Sequence, residues 1–472
     1  MIASLAAIVL ATGAKGSELT VYNQGFALVK ENRSLTLKSG RQSVQVADVA
    51  AQIDPTSVAI KSLDGKDPFS ILEQNYQYDL ISPEAILDKS VGQRVRFIRT
   101  VAEKRDVLEG TLISSPTAVV DAGGGQTMHT YNGMVIRTDD GRIILNPTGE
   151  VEVTEVPAGL ISKPTLQWEI EAAQAAAVPI ELSYITQGIS WSSDYVLTLD
   201  GAGQGALQGW VTIQNSSGAS YENAKLKLLA GDVNVATPTS GAFGGIGGAR
   251  RAFSAAAKDQ FQEQSLFEYH LYTLQRPATV RNKETKQISL LEAPEVKVTK
   301  RLIIDGELNV GHYYPAEGEI GTGDIKPQVR IEFKNTKANG LGIPLPKGRI
   351  RLYQRDDSGS VQLLGEDNIA HTPREETLSL VVGHAFDIVA TRLRTNFTRV
   401  NDRSVQETFE IEVRNRKDSP ENLEVIERHY GDWKILKHSH DFKKTSAESM
   451  VFPLSLKPDE TQKVVYTVQT TW

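Results

Sequence analysis

The stretch that decides the fold runs from Tyr184 to Asn234. It reads Tyr184-Ile-Thr-Gln-Gly-Ile-Ser-Trp-Ser-Ser-Asp-Tyr195, then Leu207-Gln-Gly-Trp-Val-Thr-Ile-Gln-Asn-Ser-Ser-Gly218, then Ala224-Lys-Leu-Lys-Leu-Leu-Ala-Gly-Asp-Val-Asn234. Three strand-like runs are separated by glycine-bearing turns. Tyr195, Leu197 and Leu199 alternate with Val196, Thr198 and Asp200, and Trp210, Thr212 and Gln214 alternate with Val211 and Ile213. Leu226 and Leu228 alternate with Lys225 and Lys227. A period of two marks half-buried antiparallel strands. The stretch therefore predicts a central sheet.

The same pattern extends outward in both directions. Residues 17–81 read as an N-terminal β unit, with Leu35 and Leu37 alternating before a turn at 38–41 and Val44 and Val46 after it. In 82–155, Ser82 and Pro83 start a short helix and Gly92 follows its end. Short strands at 93–98, 108–113, 118–120, 134–137 and 142–145 then suggest a small SH3-like barrel. Residues 156–395 form the expected central sheet or sandwich domain. It is interrupted at 237–262 by a glycine-rich flexible insertion, with a helical pattern over 251–264. Residues 396–472 read as an immunoglobulin-like sandwich. The expected fold class is mainly β, several antiparallel β-sandwich or barrel units with one or two short helices.

The opening stretch also carries a family resemblance. Gly188-Ile-Ser-Trp-Ser-Ser-Asp-Tyr195, Gln214-Asn-Ser-Ser-Gly-Ala-Ser-Tyr221 and Leu228-Leu-Ala-Gly-Asp-Val-Asn234 resemble the bacterial domain-of-unknown-function 4139 family. Further matching pieces are Tyr22 to Glu31, Leu345-Pro-Lys-Gly348 with Arg351 to Tyr353, Gly365-Glu-Asp367, His371-Thr-Pro373 and Gly383-His-Ala-Phe-Asp387. The resemblance spans nearly the whole chain beyond residue 14. It implies an exported, strand-rich bacterial protein and implies no catalytic residues.

Bulk chemistry narrows the functions. The 472 residues are 40% hydrophobic and 23% charged, which suits a globular protein of several domains. A net charge of -7 argues against nucleic-acid binding, which needs a basic footprint. The absence of cysteine removes disulfides and thiolate chemistry. Residues 1–14 are apolar and end in small residues, as in a signal peptide, although no positive residue precedes the run. No other apolar run reaches membrane-spanning length, so no transmembrane segment is expected in the mature chain. The expected location is exported, periplasmic or extracellular.

Candidate constellations each have two readings. His438 and His440 would share one side of a strand and could hold a metal, or could sit in a solvated loop. Asp356, Asp357, Glu366 and Asp367 could converge on calcium, or could serve turn chemistry. His371 and His384 read as hydrogen-bonded strand ends. Trp191, Tyr195, Trp210 and Tyr221 would form a sugar-stacking platform if exposed and a core if buried. No serine-nucleophile elbow and no zinc-protease motif occurs. No catalytic, cofactor or metal residue is assigned. The leading function is a non-enzymatic envelope binding or scaffold protein whose partner is another envelope protein or a glycan. The alternative is a hydrolase acting on envelope polysaccharide or peptide, with carboxylates from separate strands.

Overall fold

A computed structural model of the chain describes residues 9–10, 16–65, 68–101, 104–114, 116–123, 126–131, 133–231, 233–234, 260–305 and 322–472. The expected signal peptide at 1–14 lies outside these residues apart from Val9–Leu10. The expected insertion at 237–262 does so apart from its last three residues. The fold is mainly β. The only α-helix among the described residues is Pro83–Lys89, capped by Ser82, whose hydroxyl accepts from the Ala85 amide at 3.0 Å. No helix among them is long and apolar enough to cross a membrane.

The chain separates into two compact units. The first holds Met1–Ser190, Gln214–Lys227 and Arg276–Glu284; the second holds Trp191–Ile213, Leu228–Gln275 and Thr285–Trp472. The deciding stretch is thus shared between units, its middle strands going to the second.

In the first unit, Phe26–Leu37 and Ala176–Gln187 pair antiparallel along their full length, from Leu37 beside Ala176 to Phe26 beside Gln187. Their alternation is disturbed at Glu31, an acid that is buried all the same. It is held by Arg33, with Nε and Nη2 donating to Oε2 at 3.0 and 2.6 Å, and by the Tyr184 hydroxyl, donating to Oε1 at 3.2 Å. Burial, with Tyr221 and Glu31 nearby, pushes the Tyr184 hydroxyl pKa up. A second sheet runs Val9–Leu10, Gly40–Ala47, Thr165–Ala172, Phe69–Gln77 and buries Trp168.

A third sheet runs Ile143–Leu145, Val135–Arg137, Lys104–Leu112, Arg94–Val101, Glu150–Val153. It packs around Val95, Phe97, Leu112 and Ile136. The strand expected at 118–120 does not join it. Thr117–Gly123 pairs instead with Gln126–Tyr131 as a separate hairpin. Pairing with its near neighbour in sequence closes a shorter loop than joining the five-stranded sheet would.

In the second unit, two sheets enclose one core. One runs Thr377–His384, Gln328–Lys334, Thr299–Asp305, Glu421–Arg428, Ser449–Leu456, Lys443–Lys444. The other runs Gly323–Ile325, Ile388–Asn401, Ser404–Asn415, Thr461–Thr471, Asp432–His438. Phe409, Ile411, Val425, Phe452 and Val464 lie between them with almost no exposure, which makes a sandwich. The strands after residue 396 share this core with Leu302, Ile304, Ile388 and Ala390.

The helix expected over 251–264 is corrected at its described end. Phe261–Leu266 is a strand, paired with Tyr269–Leu274 from Phe261 beside Leu274 to Leu266 beside Tyr269. Residues rich in Gln and Glu follow the sheet here because pairing and burial of Phe261 outweigh their helix propensity.

Three asparagines recur where a strand of pattern apolar-polar-apolar-polar ends: Asn215, Asn335 and Asn415. Each is buried, and each ties its following loop through both amide atoms. Asn335 Nδ2 donates to the carbonyls of Ile343 and Pro373 at 2.8 and 2.9 Å, and its Oδ1 accepts from the Gly342 amide at 3.0 Å. Asn415 Nδ2 donates to Ser419 and Lys457, while its Oδ1 accepts from Lys417. Asn215 does the same for Ala219, Arg281 and Ser217.

Candidate functional site

The site lies on the remaining sheet of the second unit, ordered Glu284–Lys297, Gln204–Asn215, Ile189–Leu199, Gly348–Arg355, Val361–Ile369. Its centre is a parallel junction running from Ser193 beside Gly348 to Leu199 beside Gln354. Gly348 has a physical cause. A β-carbon there would run into the Ser193 carbonyl, so only glycine lets the backbones approach.

The inward side is sealed by aromatics that each grip a carbonyl. Trp191 Nε1 donates to Leu229 O at 3.2 Å, Tyr195 Oη to Pro346 O at 2.8 Å and Tyr272 Oη to Pro344 O at 2.9 Å. Burial pushes both tyrosine pKa values up. Asn335 fixes the loop entering this segment, and Leu345 exchanges backbone hydrogen bonds with Thr372. Two tyrosine hydroxyls and the Leu345–Thr372 pair therefore tie residues 344–346 beneath the site, with Asn335 holding the loop just before them.

The outward side is polar. Gln287 Nε2 donates to Thr212 Oγ1 at 3.2 Å, and that hydroxyl donates to Asp194 Oδ2 at 2.9 Å. Arg349 Nη2 donates to Asp194 Oδ1 at 3.3 Å, and its Nη1 lies 3.9 Å from Glu366 Oε2. Arg351 Nε donates to Glu366 Oε1 at 2.9 Å. This ladder crosses all five strands. Over its middle opens a shallow recess of about 490 Å³, lined by Ser192, Asp194, Lys347, Arg349, Asn368 and Ile369. Trp210 lies on the same side, two residues from Thr212 along its strand, and is 36% exposed.

The candidates read from sequence separate on this frame. Trp191, Tyr195 and Tyr221 are buried, so the four aromatics make no common platform; Trp210 alone of them reaches solvent. Asp356 is engaged in its own turn, accepting from the Ser358 and Ser360 amides and from Gln362. Asp367 accepts from the Val381 amide at 2.8 Å, while Glu366 faces the arginines. Asp356, Glu366 and Asp367 thus have different partners. His438 Nδ1 contacts the His440 carbonyl at 2.9 Å and His440 Nδ1 the Ser439 hydroxyl at 2.8 Å, local bonds of an exposed turn. His371 Nδ1 accepts from the Lys347 amide at 3.2 Å, at the rim of the recess, and His384 ends a strand. Among the described residues no three His, Asp or Glu side chains are grouped as a metal site.

Sequence reasoning missed Asp194, Thr212, Lys347 and Arg349 as site residues. The available signal was convergence: Asp194, Lys347, Arg351, Glu366 and His371 each fall within a short segment singled out in the sequence. Fold and site together define a multi-sheet β protein that presents a polar, solvent-open sheet face. No family model matches the chain, and no curated protein matches it.

Proposed function

We propose that the protein is an exported binding or scaffold protein of the bacterial cell envelope, and that the outward face of the five-stranded sheet holds its partner. One observation carries this reading. A polar ladder of hydrogen bonds and ion pairs spans an exposed sheet face beside a half-open tryptophan, above a segment, 344–346, tied down by two tyrosine hydroxyls and the Leu345–Thr372 pair. A rigid first layer is what recognition needs, because little ordering entropy is then lost on binding. Asp194 and Glu366 each lie within 4 Å of the Arg349 guanidinium, so this pair of acids shares a cation. Export rests on the apolar run 1–14, and membership in the family the sequence resembles belongs to the same proposal.

The test is capture of partners from envelope extract. The intact protein is expected to retain a partner that Trp210→Ala and Arg349→Ala lose. Hydrolysis of envelope polysaccharide or peptide, abolished by Asp194→Asn, would overturn the binding reading. An intact Met1 on protein from a cytoplasmic fraction would overturn export.

A further inference from the structure

We infer that a second copy of this chain docks on the first unit, antiparallel along the free strand edge Ile143–Leu145, with the dyad at Ile144. The surface belongs to the first unit and the polar face described above to the second, so neither reading depends on the other. Burial comes first. Ile136, Ile144 and Leu112 are register partners that face the core of their sheet. The residues between them alternate to the outer side. There Leu145 stands beside Val135, Ile143 beside Arg137, and the Ile113 amide donates to the Val135 carbonyl at 2.9 Å. Leu145 is 68% exposed and Ile143 51%, and Ile113 is exposed as well. Exposed aliphatics gathered on one side of one sheet mark a contact surface.

Backbone geometry comes second. The Asn146 amide donates to the Met134 carbonyl at 2.7 Å, and the Thr138 amide to the Arg142 carbonyl at 3.0 Å. Bonded residues alternate along an antiparallel pair, so between these two it is Ile144 that bonds to Ile136. The N–H and C=O of Ile143 and Leu145 then point the other way, to an edge that no other strand of the described residues covers. A second copy with its dyad at Ile144 sets each Ile143 opposite a Leu145. Both pairs fall on the outward-pointing groups, and each exchanges both of its hydrogen bonds. Sliding the dyad to Leu145 would set Ile143 opposite Pro147, which has no N–H to give.

Charge selects the occupant. Ile143–Leu145 carries none, and the dyad places Arg142, already paired with Asp140, opposite Asn146 of the second copy. No like charges meet, so the edge is complementary to itself. On the rest of this outer side Arg94 is held by Glu109 and Asp139, and Arg96 by Glu109 and Glu152, which leaves little to draw a charged partner. Other edge strands carry residues that oppose pairing: Lys434 and Lys437 in Asp432–His438, and Pro294 in Glu284–Lys297. Ile143–Leu145 has neither lysine nor proline. A strand of 3 residues makes a small contact, so the dimer is weak and forms as concentration rises.

The experiment is analytical ultracentrifugation of the full chain over a concentration series, joined to disulfide cross-linking. The wild type is expected to dimerise as concentration rises. Leu145→Lys, at a position open to solvent, should raise the dissociation constant about tenfold or more and leave the monomer folded. The chain has no cysteine, so introduced thiols report alone. Oxidising a mixture of Ile143→Cys and Leu145→Cys chains should give a covalent dimer, because those positions face each other about 5.5 Å apart. Either variant alone should give far less, since like positions then stand on the diagonal, about 7–8 Å apart, at the limit of disulfide reach. A monomer at every concentration overturns the inference, as does cross-linking equally strong in the single variants and the mixture. A monomer that floats with phosphatidylethanolamine–phosphatidylglycerol vesicles, and no longer does so as Leu145→Lys, also overturns it and makes the occupant a membrane surface.

Discussion

Asp194 and Arg349 are register partners across a parallel strand junction, and the Arg349 Nη2 donates to the Asp194 Oδ1 at 3.3 Å although 155 positions separate them in the chain. The same carboxylate accepts from Thr212. Asp194→Ala therefore strips an acceptor from two donors at once. Its side chain is only 18% exposed, so the loss should be about 1–3 kcal/mol in urea unfolding. Glu366→Ala removes a more exposed acid and should cost less than about 1 kcal/mol. Equal losses would deny the ladder its centre at Asp194.

Gly348→Ala should destabilise by about 2–4 kcal/mol, because the new methyl meets the Ser193 carbonyl inside the parallel junction. Gly359 has open space around it and a φ of +82°, so Gly359→Ala should cost only about 1 kcal/mol of backbone strain. Thermal melts of the two variants check the order.

His429 gives the stability a pH dependence. It is buried among Phe409, Trp433 and Tyr466, with Glu427 and Arg392 as its charged neighbours, and its Nε2 has no hydrogen-bond partner. Burial lowers its pKa to about 4, with Arg392 acting the same way and Glu427 opposing. The unfolded histidine takes its proton below about pH 6.5, so between there and pH 4 the unfolded state binds more protons. Stability must then fall as pH falls through that window, by up to about 3 kcal/mol. Denaturation midpoints at pH 7 and pH 5 should differ in the wild type and converge in His429→Phe.

Arg392 and Glu427 form a buried pair in the sandwich, with the arginine Nη2 donating at 2.7 Å, its guanidinium 4.0 Å over the Phe409 ring, and the Tyr466 hydroxyl donating to the same carboxylate. Arg392→Met alone should cost about 3–5 kcal/mol by stranding a buried charge. Adding Glu427→Leu and Tyr466→Phe should recover part of it, since the buried carboxylate and the hydroxyl that donates to it are then removed together with the arginine. A triple variant less stable than the single one would contradict this.

Phe267 holds a φ of +57° at the first turn position between Phe261–Leu266 and Tyr269–Leu274, and it is 84% exposed. Glycine is the residue such a turn favours. Phe267→Gly should therefore raise stability by about 1 kcal/mol, read as an upward shift in Tm.

The sequence by itself determined the β class and the helix at Pro83–Lys89. Alternation and capping are local properties, written within a few residues. It also contained, unread, the recurrent asparagine at three strand ends. Tertiary structure decided which strands lie side by side. The run 184–234 looks continuous in sequence, yet its strands are divided between two units. A period of two says which side of a strand is apolar and says nothing of its neighbours. The site depended wholly on that choice. Asp194 is an ordinary polar position on a half-buried strand until the parallel pairing sets Arg349 beside it, and no local pattern encodes a contact across 155 residues.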